Sequence, residues 1–313
     1  MKFGRYIKYF SFVVAMLSLG RPAHAQLDPM FTQYMFNTQA INPAYAGMWD
    51  KIGFFSLVRR NFAGIDRAPF TQLLSFHTPV ANKYVGVGFN IINDHIGRED
   101  RLSIFGDYSF KVLLTEDLYL RLGLKFGFLN YKNPLYQYQL YPDNQYDPAF
   151  QGEVNNKFMP NFGVGAFLYK DNFYISLSVP KLIVNDFAAN VNNFSSLAEA
   201  RYVYLTAGCI MGMPKSVKFK PSILLRYTAG TPLEFDLAGN FNFKDRFELG
   251  AMLRTASSVG FIAQWLYNRK VRIGYALDIP ITQIFNFQYG CHEFMVSYDI
   301  DFYGRGYMKE HYF

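Results

Sequence analysis

Leu118-Tyr119-Leu120-Arg121-Leu122-Gly123-Leu124-Lys125-Phe126-Gly127-Phe128 alternates without a break. Leucine or phenylalanine takes every second place, and tyrosine, arginine, glycine and lysine fill the gaps. Neighbouring side chains of a strand point to opposite faces, so this segment has one apolar face and one face of charge and glycine. The same alternation recurs in Val85/Val87/Phe89/Ile91, Phe173/Ile175/Leu177/Val179, Leu233/Phe235/Leu237, Phe247/Leu249/Ala251/Leu253 and Phe294/Val296/Tyr298/Ile300. We count about fourteen such segments, each long enough for a tilted strand to cross a membrane, starting near residues 52, 70, 84, 101, 118, 161, 172, 202, 217, 232, 246, 258, 270 and 292.

The rival architecture is a soluble β-sandwich, which buries its apolar face and turns charge to water. A membrane barrel reverses this, with the apolar face outward and polar residues and glycine in the lumen. Here 33 Phe and 24 Tyr would have to fit a sandwich core, while the opposite faces of most strands carry charges and glycines. The pattern predicts an all-β, transmembrane antiparallel barrel of about fourteen strands bounded by outer-membrane lipid.

The chain opens with an export address. Lys2, Arg5 and Lys8 precede an apolar run over residues 10–19, and Ala23-His24-Ala25 is a small-x-small cleavage site. The run is too short to span a bilayer. Cleavage would leave Gln26 first and no cysteine for a lipid anchor. Lys2, Arg5, Lys8 and Arg21 account for more than half of the formal charge of +7, so the basic balance does not point to nucleic acid. The expected layout is a leader over 1–25, an N-terminal arm or plug over 26–50, a barrel over 51–303 and a short tail over 304–313. If the first strand rises from the periplasm, both termini are expected there. The short connections then fall on the periplasmic side, and the longest, 133–160 and 181–201, fall outside.

Enzyme chemistry finds little support. Gly86-Val87-Gly88 and Gly163-Val164-Gly165 lie inside alternating strands and open no helix, so they read as small residues on a crowded lumen face rather than a nucleotide site. His77, His95, His292 and His311 lack zinc-ligand spacing. Asp143, Asn144 and Asp147 lack the spacing and glycine of a calcium loop. Cys209 shares the apolar parity of Val203, Leu205 and Ala207, and two cysteines make no disulfide framework. No metal or cofactor is expected.

Two regions do not read as plain barrel. The arm carries Asp28-Pro29-Met30-Phe31-Thr32-Gln33-Tyr34-Met35-Phe36-Asn37 and Ile41-Asn42-Pro43-Ala44-Tyr45-Ala46-Gly47, with Asn-Pro turn chemistry and no period. It can fold into the lumen as a plug or dock a periplasmic partner, and its candidate residues are Asp28, Pro29, Phe31, Gln33, Tyr34, Asn37, Asn42, Pro43, Tyr45 and Gly47. The second region is the charged face of the C-terminal strands, where Arg226, Asp236, Glu248, Arg254, Asp278 and Glu293 suggest an internal ion-pair network. Tyr136, Tyr138, Tyr141 and Tyr146 in the long external loop are candidate outer contacts.

Asp28-Pro29-x-Phe31-x-Gln33-Tyr34-x-x-Asn37 with Asn42-Pro43-Ala44-Tyr45-Ala46-Gly47 resembles the opening of the PorP/SprF family. Further matches follow in order: Ser176-Leu177-Ser178-Val179-Pro180-Lys181-Leu182, Lys220-Pro221-Ser222 with Arg226-Tyr227, Gly274-Tyr275-Ala276 with Asp278, and Gly290-x-His292-Glu293 with Ser297-Tyr298. Leu277 departs from the family's more usual second tyrosine. The resemblance implies a non-enzymatic outer-membrane component of the type IX secretion system of Bacteroidota, associated in gliding relatives with adhesin export. The partners it implies are periplasmic ring and peptidoglycan-binding proteins, and a cargo with a C-terminal sorting domain. A channel for small or hydrophobic solutes, with the arm as its hatch, is the alternative.

Overall fold

A computed structural model describes residues 28–48, 51–80, 84–139, 150, 152–184, 186–188, 195–197, 200–212, 217–267 and 270–300. The leader, the C-terminal tail, Asp143, Asn144, Asp147, Tyr141 and Tyr146 lie outside them. The strands are β1 (Ile52–Arg60), β2 (Phe70–Val80), β3 (Val85–Ile96), β4 (Glu99–Leu113), β5 (Tyr119–Asn133), β6 (Val154–Lys170), β7 (Phe173–Val179), β8 (Asp186–Ala188), β9 (Ser195–Leu197), β10 (Tyr202–Cys209), β11 (Met211–Gly212), β12 (Val217–Thr228), β13 (Glu234–Phe243), β14 (Phe247–Arg254), β15 (Ser258–Tyr267), β16 (Val271–Pro280) and β17 (Cys291–Ile300). Fourteen of them form a closed antiparallel meander. β1 pairs with β17 and β10 with β12, so no edge is left open to lipid. β11 is a two-residue addition beside β12, and β8 with β9 forms a separate hairpin.

The alternation sets the two surfaces. On β5, Leu122 and Leu124 are 49% and 56% exposed, whereas Arg121 and Lys125 are buried. Leu74, Ile175, Leu177, Leu249, Phe261 and Phe294 continue the apolar outer band. The buried charges therefore belong to the lumen side, as a membrane barrel requires.

Observed strand starts follow the sequence expectation within about two residues, the usual boundary error, except at β6. That strand begins at Val154 rather than near 161. Its register with β5 shifts between Leu129 and Tyr131, Phe158 adopts a positive φ of 57°, and its backbone N–H donates to Asn130 Oδ1 at 2.7 Å. The irregularity breaks the two-residue period, so the pairing of 154–160 leaves no alternation to read.

The connections after β1, β5, β7 and β16 (61–69, 134–153, 180–201 and 281–290) are the long ones, and all leave the same end. That end is the outer one, because long loops of such barrels face outward.

Candidate functional site

The lumen is filled by the arm. Residues 31–39 and 42–48 are buried, and three single-turn 3-10 helices shape them: Tyr34–Phe36, Thr38–Ala40 and Pro43–Tyr45. Asn42 starts the third. Its Oδ1 accepts from the Ala44 N–H at 2.9 Å, and Pro43 supplies a first helical residue that needs no donor partner.

The two halves of the arm are held differently. The second half sits on glycine. A Cβ on Gly123 would lie 2.2 Å from Ala44 N, one on Gly86 2.1 Å from Ala46 O, and one on Gly165 2.0 Å from Asn42 Oδ1. Inward glycines on β3 and β5 thus let two backbones touch, and the one on β6 makes room for the Asn42 side chain. Arg121 donates to the Ala46 and Gly47 carbonyls at 2.9 and 3.1 Å, and Ser109 Oγ to Ala46 O at 2.6 Å. Asn42 Nδ2 donates to Ser176 Oγ at 2.6 Å. Tyr45 packs edge-on to His77 and Phe167. Gly47 takes a φ of 66° against Gly86, a turn that a side chain would strain.

The first half is held by charge. The backbone N–H groups of Thr32 and Gln33 both donate to Glu293, each at 2.9 Å. Thr32 Oγ1 donates to Asp278 at 2.6 Å and accepts from Arg59 at 2.7 Å. Arg59 itself bridges Asp278 at 2.7 Å and Glu293 at 2.8 Å, while Arg254 binds Asp236 at 2.9 Å and approaches Asp278 at 3.6 Å. Gln33 accepts from Gln264, and Asn37 and Gln39 donate to Ser75 and Asp107. Tyr34 meets Ser222 at 3.2 Å, and burial pushes its hydroxyl well above the usual tyrosine range. Asp28 pairs with Lys181 at 2.8 Å, and Phe31 packs into an apolar cluster with Tyr34, Met35 and Phe36.

The charges singled out in the sequence do not form one cluster. Arg59 joins Asp278 to Glu293, and Arg254 joins Asp278 to Asp236. Arg226 pairs separately with Glu234 at 2.5 Å, and Glu248 with Lys220 at 2.9 Å. Sequence reading missed Arg59, Lys220, Arg121 and the Lys125–Asp107 pair at 2.9 Å. Arg121 and Lys125 carried the signal, lying on the glycine parity of β5. Arg59 carried less, because its inward neighbours on β1, Phe55 and Leu57, are themselves apolar and packed around the arm. Tyr136 and Tyr138 lie at the outer end, away from the lumen. Tyr136 is exposed, and Tyr138 packs against Phe150 and under Arg98. Gly86, Gly88 and Gly165 face arm residues, and Gly163 faces Pro180. Among the described residues no group of three His, Cys, Asp or Glu side chains could hold a metal ion.

A family model described as type IX secretion system membrane protein PorP/SprF matches residues 23–298. The chain belongs to this family. Its fold and family are those of a secretion-system membrane protein of the outer membrane rather than of an enzyme class. No curated protein matches the chain. Similar solved structures include the Acinetobacter baumannii outer membrane protein Omp33, 7% identical with a TM-score of 0.47, covering 81% of this chain and all of that one. The Ralstonia pickettii toluene transporter TbuX is 11% identical with a TM-score of 0.46, covering 82% of this chain and 91% of that one. In this PorP/SprF chain the family-like opening is the arm, and the inward-facing residues described above are what it touches.

Proposed function

We propose that this PorP/SprF barrel is a filled, non-enzymatic docking component of type IX secretion. It anchors machine components at the outer membrane or holds exported cargo outside. The observation that carries this reading is the lumen. Thr32, Gln33, Gln39 and Asn42 are fully buried against the inner wall, and the charges around them are paired. A fourteen-strand barrel is already narrower than the 16–18-stranded porins that leave an aqueous channel. Cargo would cross through another pore. The outer loops, with Tyr136, Tyr138, Tyr141 and Tyr146, offer the contact surface for a cargo with a C-terminal sorting domain. The inner rim faces periplasmic ring and peptidoglycan-binding partners. The leader over 1–25 delivers the chain.

Replacing loop 134–153 or loop 180–201 with a short Gly/Ser turn is the test. The barrel should still assemble, while secretion or surface retention of cargo falls. Cross-links from transiting cargo to Arg226 or Glu248 would overturn the proposal and make the barrel the conduit. Steady conductance from the intact protein would favour a solute channel instead.

A further inference from the structure

The arm has a direction, which the heights of its partners along the strands reveal. Asp28 pairs with Lys181, just beyond the outer end of β7. Arg226, near the outer end of β12, reaches Met30 Sδ at 2.9 Å, and Arg254, the last residue of β14, meets the Phe31 carbonyl. Thr32 meets Arg59, Asp278 and Glu293, all within three residues of the outer ends of their strands. Lower down, Phe36 lies under Arg272, the second residue of β16 at its inner end, with the guanidinium 4.9 Å from the ring. The chain then climbs to Ile41, whose carbonyl accepts from Ser178, and descends past Gly123 to Gly47 beside Gly86 at the inner end of β3. From there it enters β1.

Exposure follows the same direction. Residues 31–39 are buried, whereas Asp28, Pro29 and Met30 are half-buried. Beside Asp28 lies a cavity of about 50 Å³, lined in part by Asp94, Arg101, Lys181 and Tyr204 near the outer ends of β3, β4, β7 and β10.

We infer that the arm is threaded outward, so that the mature N-terminus lies at the outer mouth and belongs to the cell-surface face of the protein. The inference rests on the outer placement of the long loops and on leader removal after Ala25, in addition to the plugged lumen. With that cleavage only Gln26 and Leu27 precede Asp28. Two extended residues reach about 7 Å, whereas the apolar band of such a barrel is about 25 Å tall. The amino end cannot return to the periplasmic mouth. A periplasmic N-terminus, the ordinary expectation for an arm that precedes a rising first strand, is thereby replaced by a surface one.

Epitope display on intact cells tests this. One full-length variant carries a short epitope between Gln26 and Leu27, a second carries it after Phe313, and a third carries it beside Tyr136 in the long outer loop. The N-terminal and loop epitopes should bind antibody equally before and after permeabilisation, and the C-terminal one only afterwards. An N-terminal epitope that is silent until permeabilisation overturns the inference. The loop epitope then tells whether orientation or threading was at fault, because a silent loop means an inverted barrel. If the insertion blocks folding, Leu27→Cys in a Cys209→Ala/Cys291→Ala background, labelled with a membrane-impermeant maleimide, gives the same reading. Labelling on intact cells supports surface threading, and labelling only after lysis refutes it.

Discussion

Arg59 is the residue on which the outer half of the lumen depends. It is buried and serves Asp278, Glu293 and Thr32 at once. Arg59→Ala would leave two carboxylates without that partner, and breaking a buried pair from one side costs about 3–5 kcal/mol. Reversible urea unfolding in detergent should show a loss of that size. At Gly123 the argument is steric, because the new Cβ would meet the arm's backbone rather than a flexible side chain. Gly123→Ala should destabilise by roughly 1–3 kcal/mol and raise protease cleavage in the arm. Gly212→Ala, with nothing within 4 Å of the added carbon, should do neither. On the outer face, Leu124→Arg should cost about 2–4 kcal/mol at the bilayer midplane. A neutral result in the same unfolding assay would invert the assignment of faces.

At the scale of the element, the strands were legible and the arm's course was not. The alternation of β5, β7 or β13 is a local property, and a period of two can be read from one sequence. Residues 28–48 have no period because each meets a different wall. Gln33 faces β15, Gln39 faces β4 and Asn42 faces β7. Nothing in their spacing names those partners. The inward glycines were visible as glycines, but what fills the space above them was not. Deleting 28–47 should leave strands able to pair, since all lie after it, and leave the lumen charges of Arg59, Asp278 and Glu293 open to water. Planar-bilayer recording should then show higher ion conductance than the intact barrel gives. A closed deletion product that loses a periplasmic partner in pull-downs would assign the arm to docking.

At the scale of the whole molecule, the lipid-facing belt and the filled interior divide the labour. Leucine and phenylalanine outside secure residence in the outer membrane, while the arm and paired charges fill the interior. The protein should extract only in detergent with a strand-dominated far-UV spectrum, and a helix-rich soluble product would refute the fold. Cells lacking it should fail to secrete or retain cargo, and a pull-down from native membranes should recover periplasmic ring proteins. Their reproducible absence would count against docking. The ring's size could be read from the count of alternating segments, but the partners of a docking surface are written in shapes that periodicity does not carry.

The contacts of Thr32 have one more consequence. They join residue 32 to residue 293, 261 positions apart, across the β1–β17 seam where the ring closes. Loop-closure entropy must be met before such non-local contacts return anything, which makes folding slow and late-committing. β17, the last of the described strands, is the one that captures the start of the arm. Closure of the ring and capture of the arm's first half are therefore coupled. A chain truncated before β17 should gain strand content yet never reach the compact, heat-modifiable form, and its arm should stay open to protease throughout refolding.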